Sequence, residues 1–245
     1  MNKAVIITGS NGGIGAALKA KFSEEGYSVI GVGKSADTQN CDEYIQVDFA
    51  ELAESESAQN MFAKKLLGFL ANYSLKGLIN NSAVQILASM GDLSVKDFQT
   101  TLNVNLVVPF ILSKICLESL TVGKGSILNI GSIHAKLTKK QFVAYATSKG
   151  ALEAMTRAMA VDVGSVVRVN LISPAAIETE MLLAGFEGSK EKYKVLGDHH
   201  PAGRIGSVEE VATLCFRLVS DDYSFLNGSV IEIGGGIHGR LHDPI

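Results

Sequence analysis

The 245-residue chain carries 22 basic and 25 acidic residues, a formal net charge of -3 that offers no electrostatic footprint for nucleic acid. Its apolar runs read as well short of the roughly 20 residues of a membrane span. Cys41, Cys116 and Cys215 lack metal-ligand or CxxC spacing, so reduced thiols in a cytoplasmic protein are expected. The chain enters a strand at Ala4, leaving no room for a signal peptide. No Pro- or Ser-rich linker divides it, so residues 1–245 are expected to form a single domain.

Lys3 to Ile7 is a short apolar run, as in a parallel strand covered on both faces. It enters Thr8-Gly9-Ser10-Asn11-Gly12-Gly13-Ile14-Gly15, and a helical pattern follows from Ala16 to Glu25. Strand, glycine turn and helix in that order gather backbone N–H groups and a helix amino terminus where a pyrophosphate fits. Gly9 permits the turn, Gly13 admits the phosphates and Gly15 lets the helix pack close to the strand. Such a turn can also serve packing alone.

Tyr27 to Val32 reads as the second strand, ending Gly33-Lys34-Ser35, and Tyr44 to Val47 as the third, ending Asp48-Phe49. A parallel crossover normally takes a dozen or more residues and a helix. The short polar segment here predicts a loop and a thinly covered sheet face. Ser55 to Leu70 has helical spacing, and Leu75 to Ile79 is the fourth strand, ending Asn80-Asn81-Ser82-Ala83.

Leu93 to Val104 has helical spacing, and Leu106 to Leu120 is apolar nearly all round, as is the helix after Tyr145. Helices of that kind need cover on two sides. Deep burial in one chain would supply it; a subunit interface with Met155 and Met159 facing the partner is expected. Between them Ile127 to Ile130 is a strand ending Gly131-Ser132. Tyr145 and Lys149 lie one turn apart on a helix face, near that strand end. A phenol titrates at about 10, and an adjacent ammonium lowers that value. Hydroxyl, phenol and cation together can exchange a proton with an alcohol or carbonyl oxygen. A Tyr–Lys pair on a solvated helix is the bland alternative.

Arg168 to Ile172 is the sixth strand, followed by Ser173-Pro174. Ala175 to Gly206 is polar and glycine-punctuated, with helical patches near Met181 and Glu191 to Leu196, and reads as a lid. Val208 to Leu218 is a helix, Val230 to Ile233 the last strand and Gly234 to Ile245 a tail. The alternation implies an α/β fold with a doubly wound parallel sheet of about seven strands, binding ligands at the strands' carboxyl ends.

The whole pattern resembles the short-chain dehydrogenase/reductase family over nearly the full chain. The motifs are Thr8 to Gly15, Asn80-Asn81, Asn105, Ser132, Tyr145-x-x-x-Lys149, Arg168-Val169-Asn170, Ser173-Pro174 and Thr179. The resemblance implies a Rossmann-like fold and an NAD(P)-dependent oxidoreductase interconverting secondary alcohols and ketones. It makes Tyr145 the acid/base, Ser132 the group that polarises the substrate oxygen, and Lys149 the residue that tunes Tyr145 and holds the nicotinamide ribose. Asn105 would anchor a proton-relaying water. The cofactor would lie against Gly9, Asn11, Gly13, Ile14 and Gly15. Asp48 and Phe49 would meet the adenine, Asn81 and Ser82 the adenosine side, and Pro174, Ile177 and Thr179 the nicotinamide end. The chain departs from the pattern at Ser82-Ala83 (usually Ala-Gly), at Ala175 (usually Gly) and at Gly234 (usually Asp).

Lys34, where NAD-preferring members carry an acid, leans the expectation to NADP over NAD; the nearest acid is Asp37. Asp198-His199-His200 and His238/His242 lack a matching acid or Cys set, so no metal is expected. His134 is expected in or beside the substrate pocket, and Arg204 is expected to order the lid. A small-molecule substrate and a homo-oligomer, dimer or tetramer, complete the expectation. The alternatives are a 3-oxoacyl thioester reductase acting on a carrier protein and a non-catalytic nucleotide-binding regulator.

Overall fold

β1 (Asn2–Thr8), β2 (Ser28–Gly33), β3 (Glu43–Gln46), β4 (Tyr73–Asn80), β5 (Ser126–Ile130), β6 (Arg168–Pro174) and β7 (Val230–Ile233) pair in parallel. Their order in the sheet is β3-β2-β1-β4-β5-β6-β7. The computed structural model describes residues 1–37, 40–184, 189–220 and 223–241. β1 explains why the strands read as unbroken apolar runs. Ala4 and Ile6 belong to the core on one face, Val5 and Ile7 to the core on the other, and all four are fully buried.

α1 (Gly13–Glu24) and α9 (Val208–Ser220) cover the second face. The first is covered by α2 (Phe49–Glu54), α3 (Glu56–Leu70), α5 (Val108–Gly123) and α6 (Val143–Val163). α4 (Val95–Leu102) runs through a π-helical turn, Asn103–Val107, into α5. The resulting helix, Val95–Gly123, spans 29 residues, and its most apolar 18-residue window has a mean hydropathy of 1.7, long and apolar enough by length and composition to cross a membrane. The expectation that apolar stretches stay short of that length is therefore corrected. The apolarity serves packing: Val108, Ile111, Leu112, Cys116 and Leu120 are buried.

The described residues between β2 and β3 form no helix, as expected, but the sheet face there is covered differently than by a bare loop. Tyr44 and Cys41 lie over the glycines of β2. A Cβ on Gly31 would stand 2.6 Å from the Tyr44 ring and 2.7 Å from Cys41 Sγ. α2 is an element that the sequence did not announce. It has six residues, only Phe49 and Leu52 buried, and starts because the Asp48 side chain accepts from the Ala50 N–H.

Candidate active site

The glycine turn opens the carboxyl end of β1. Gly9 and Gly13 have φ of +68° and +52°, which favour glycine. A Cβ on Gly15 would stand 1.9 Å from the Gly9 carbonyl oxygen, so α1 approaches β1 only without one. Gly12 caps α1 in extended backbone with no side chain on the helix's free N–H groups, and a Cβ there would meet nothing within 4 Å. Open N–H groups at a helix amino terminus are the chemistry a pyrophosphate needs, so the residues present fit a dinucleotide.

Thr8, which the motif reading left without a role, organises this end. Its Oγ1 accepts from the N–H groups of Asn81 and Ser82, both at 2.9 Å. The Asn81 amide donates back to the carbonyls of Thr8 (2.9 Å) and Gly9 (3.3 Å), so it braces the turn. Asn11 donates to Ser35 Oγ (2.9 Å) and the Ala36 carbonyl (2.7 Å), tying the turn to the loop after β2. Lys34 and Asp48, both predicted at strand ends, form an ion pair at 2.9 Å. The lysine is the main cause holding the Asp48 carboxyl below its ordinary range, with the Ala50 N–H second. Asp37 accepts from the Cys41 N–H at 2.7 Å.

Ser132, Tyr145 and Lys149 come together at the end of β5. Ser132 is buried; its Oγ accepts from the His134 N–H at 3.2 Å and is hydrogen-bonded to the Tyr145 hydroxyl. Burial pushes the Tyr145 phenol up, and the Ser132 bond works against that rise. Lys149, 2 % exposed, donates from Nζ to the Ile130 carbonyl at 2.7 Å. Nζ also stands 5.6 Å from the Tyr145 ring centroid, and burial lowers the ammonium to about 8. Burial is the largest influence on the phenol here, and the Lys149 cation, engaged at Ile130, stands beside the same ring.

Asn105, 1 % exposed in the π-turn, accepts from the Val84 N–H (2.8 Å) and donates to the Val84 carbonyl (2.9 Å) and Ser148 Oγ (3.0 Å). Both amide hydrogens are spent, so its side chain braces the loop after β4 against α6 and leaves its carbonyl oxygens to meet a relay water. A second brace went unread. Asn80 donates to Asn129 (2.8 Å) and Asn129 to Thr156 (2.9 Å), all three buried. Its signal was available: Asn129 interrupts the apolar run of β5, and a buried amide needs partners.

Across the cleft Pro174 ends β6, Ile177 is buried and bridged to Gly206, and the Thr179 methyl would lie 3.3 Å from a Cβ on Gly13. Phe49 is buried in the core of the covered face beside its neighbour Asp48, while Ile14 packs on the opposite core. Ser82 Oγ would lie 2.8 Å from a Cβ on Gly9, so it sits against the turn. Two departures compensate. A Cβ on Gly234 would be 3.1 Å from the Ala175 methyl and 2.5 Å from the His238 ring, so glycine at 234 makes room for both.

The segment 175–206, expected to act as a lid, contains α7 (Glu180–Ala184) and α8 (Lys190–His199). Arg204 forms a bidentate pair with Glu210 at 2.9 and 2.7 Å, fixing its base, and the pairing pulls the Glu210 carboxyl down to about 2. Asp198, His199 and His238 lie on α8 and the tail, and among the described residues no group of three or more potential ligands could hold a metal ion. His242 lies outside the described residues. A cavity of about 410 Å³ opens at the opposite end of the sheet, lined by Lys3, Lys76, Lys124 and Arg168 among others. Its cations face the carboxyl ends of α5, α6 and α9, which the helix dipoles favour.

Residues 9–238 match the family described as enoyl-(acyl carrier protein) reductase. Protein FixR of Bradyrhizobium diazoefficiens is 32% identical over 96% of this chain and 87% of its own length. Meso-2,3-butanediol dehydrogenase of Serratia marcescens is 31% identical over 96% of this chain and 94% of its own. Thermoplasma acidophilum aldohexose dehydrogenase superposes with a TM-score of 0.90 at 28% identity, covering 100% of this chain and 98% of that one. 4-Hydroxyisoleucine dehydrogenase complexed with NADH gives a TM-score of 0.86 at 30% identity over 98% of this chain and 100% of that one. With a phosphate-ready glycine turn and a Ser–Tyr–Lys cluster on one doubly wound sheet, the chain belongs to the short-chain dehydrogenase/reductase family and is an NAD(P)-dependent oxidoreductase acting on CH–OH groups.

Proposed function

We propose that Tyr145 is the acid/base of a secondary alcohol–ketone interconversion, with Ser132 and Lys149 beside it. One observation carries this reading: the Ser132–Tyr145 hydrogen bond with Lys149 Nζ 5.6 Å from the same ring. Ser132 Oγ accepts from His134, and its one proton, shared with Tyr145 in the free protein, turns to the substrate oxygen when substrate binds. Tyr145 then takes the alcohol proton, or returns it to the ketone. Lys149 spends one N–H on Ile130 and has two left for ribose hydroxyls. The nicotinamide supplies or accepts the hydride, and the protein contributes position and field. Asn105 is a positioning residue.

Lys34 at the end of β2 supports NADP(H) over NAD(H), and Asp37, the nearest acid along the chain after β2, accepts from the Cys41 N–H. The names of two similar proteins, an aldohexose dehydrogenase and a butanediol dehydrogenase, support a small hydroxylated substrate. Three free thiols support a reducing, cytoplasmic setting, and the apolar α5 and α6 support a homo-oligomer.

The test is a panel of alcohols and ketones followed by nicotinamide absorbance. Tyr145→Phe removes only the phenolic oxygen, so turnover of any substrate found should fall roughly a hundred- to ten-thousandfold while cofactor binding survives. Turnover within a few-fold of wild type would place the proton donor elsewhere.

A further inference from the structure

His134 is fixed from several sides. Its ring stacks on Phe142 with centroids 4.1 Å apart and an interplanar angle of 12°. It stands edge-on to Tyr145 at 5.8 Å and 78°, and its backbone N–H donates to Ser132 Oγ. Nδ1 is bonded to Thr138 Oγ1 at 3.1 Å, whereas Nε2 has no partner among the described residues. The outer face of Phe142 carries the Lys139 ammonium, 4.9 Å from the ring centroid. The ring is thus held firmly beside Tyr145 and Ser132, and Nε2 is its nitrogen left for a ligand.

We propose that His134 Nε2 hydrogen-bonds a second oxygen on the carbon next to the reacting one, so that the substrates are 1,2-diols and the matching α-hydroxy ketones. The proposal rests on the oxidoreductase reading above and names its substrate class. A ring 5.8 Å from Tyr145 suits neighbouring oxygens on one small molecule. A substrate lacking the second oxygen buries the nitrogen unpaired, which a site built for hydrogen bonding penalises. Burial first, and the Lys139 charge second, lower the imidazole to about 4. It therefore stays neutral across the working range, and Nε2 can donate to or accept from the neighbouring hydroxyl, which is the same group in both the diol and the hydroxy ketone.

The experiment compares butane-2,3-diol with butan-2-ol, using the full chain with nicotinamide cofactor. Wild type is expected to favour the diol in kcat/KM by about tenfold or more. His134→Phe keeps the stack and removes both nitrogens; diol turnover should fall by about the same factor, with butan-2-ol within roughly threefold of wild type. His134→Gln, which restores a polar group, should recover part of the diol preference. The proposal is overturned if wild type shows no diol preference, if neither alcohol is turned over, or if His134→Phe lowers both alike. Butan-2-ol oxidation that Tyr145→Phe abolishes leaves the oxidoreductase reading standing even then. Butan-2-ol oxidation indifferent to Tyr145→Phe overturns the acid/base assignment separately.

Discussion

A phenol deprived of water holds its proton more tightly, and Tyr145 is in that position, with the Ser132 hydrogen bond as the opposing influence. Alcohol oxidation needs the phenolate, so its rate climbs with pH up to the apparent value of the coupled Tyr145–Lys149 pair. Ser132→Ala removes the opposing bond, which raises the phenol further. The climb should therefore move to higher pH as well as to a lower plateau, measured as kcat against pH. A lower plateau on an unmoved profile would mean that Ser132 acts on the substrate alone. Lys34 poses a question of the same size. Its pair with Asp48 joins two partly exposed groups, and such pairs are worth little, so the lysine is free to turn to a 2′-phosphate. A net NADPH preference of about 1 kcal/mol, several-fold in affinity, is expected at low salt and should fade as salt is added. Lys34→Asp should weaken NADPH strongly and NADH little. Tighter binding of NADH than NADPH by wild type would assign the ribose to another group.

Among the elements, legibility followed burial. β1, β5 and β6 are covered on both faces, so each printed an apolar run, and the helix carrying Tyr145 and Lys149 followed from spacing alone. α2 stayed hidden because six residues with two buried side chains carry no period. The braces at Thr8, Asn105 and Asn129 stayed hidden because hydrogen-bond partners 21 or more residues apart leave no local trace. That applies equally to the cover that Tyr44 gives Gly31 and Gly33. The expected interface on α5 and α6 needs other probes than Met155 and Met159. Met159 packs against the protein's own core, while Phe110 on α5 is 51% exposed and Val161 on α6 is 89% exposed. Burying such side chains in a partner contributes roughly 1.5–3 kcal/mol each, and a buried unpaired charge reverses the sign. Phe110→Glu combined with Val161→Glu should convert a dimer or tetramer to monomer in sedimentation at micromolar concentration, with the monomer still folded. A wild-type monomer, or a variant that stays assembled, would assign these faces to solvent.

For the molecule as a whole, the chemistry gathers at the carboxyl ends of the strands, and the buried ionisable groups set its response to alkali. Cys116 lies in the core on one face of the sheet and Cys215 in the core on the other, both fully buried. Burial pushes the Cys116 thiol from 9.0 up to about 12 and raises Cys215 as well. Lys149 moves the opposite way, from 10.5 to about 8. Between these values the signs oppose. Above pH 9 the unfolded chain sheds two thiol protons that the native protein keeps, so stability falls as pH rises. Up to pH 10.5 the unfolded chain retains the Lys149 proton that the native protein has lost, so stability rises. Cys41, raised by its partial burial, adds to the fall, so the losses outweigh the one gain and leave a net fall of at least about 1.4 kcal/mol per pH unit in that window. Tyr145, raised by burial, steepens the fall from about pH 10. Replacing Cys41, Cys116 and Cys215 by Ala subtracts a constant for the lost packing and removes all three thiol titrations. Urea denaturation from pH 8.5 to 10 should then give falling stability for wild type and rising stability for the triple variant. Adding Lys149→Met should flatten the rise, and a fall that persists without the thiols would assign alkaline sensitivity to other groups.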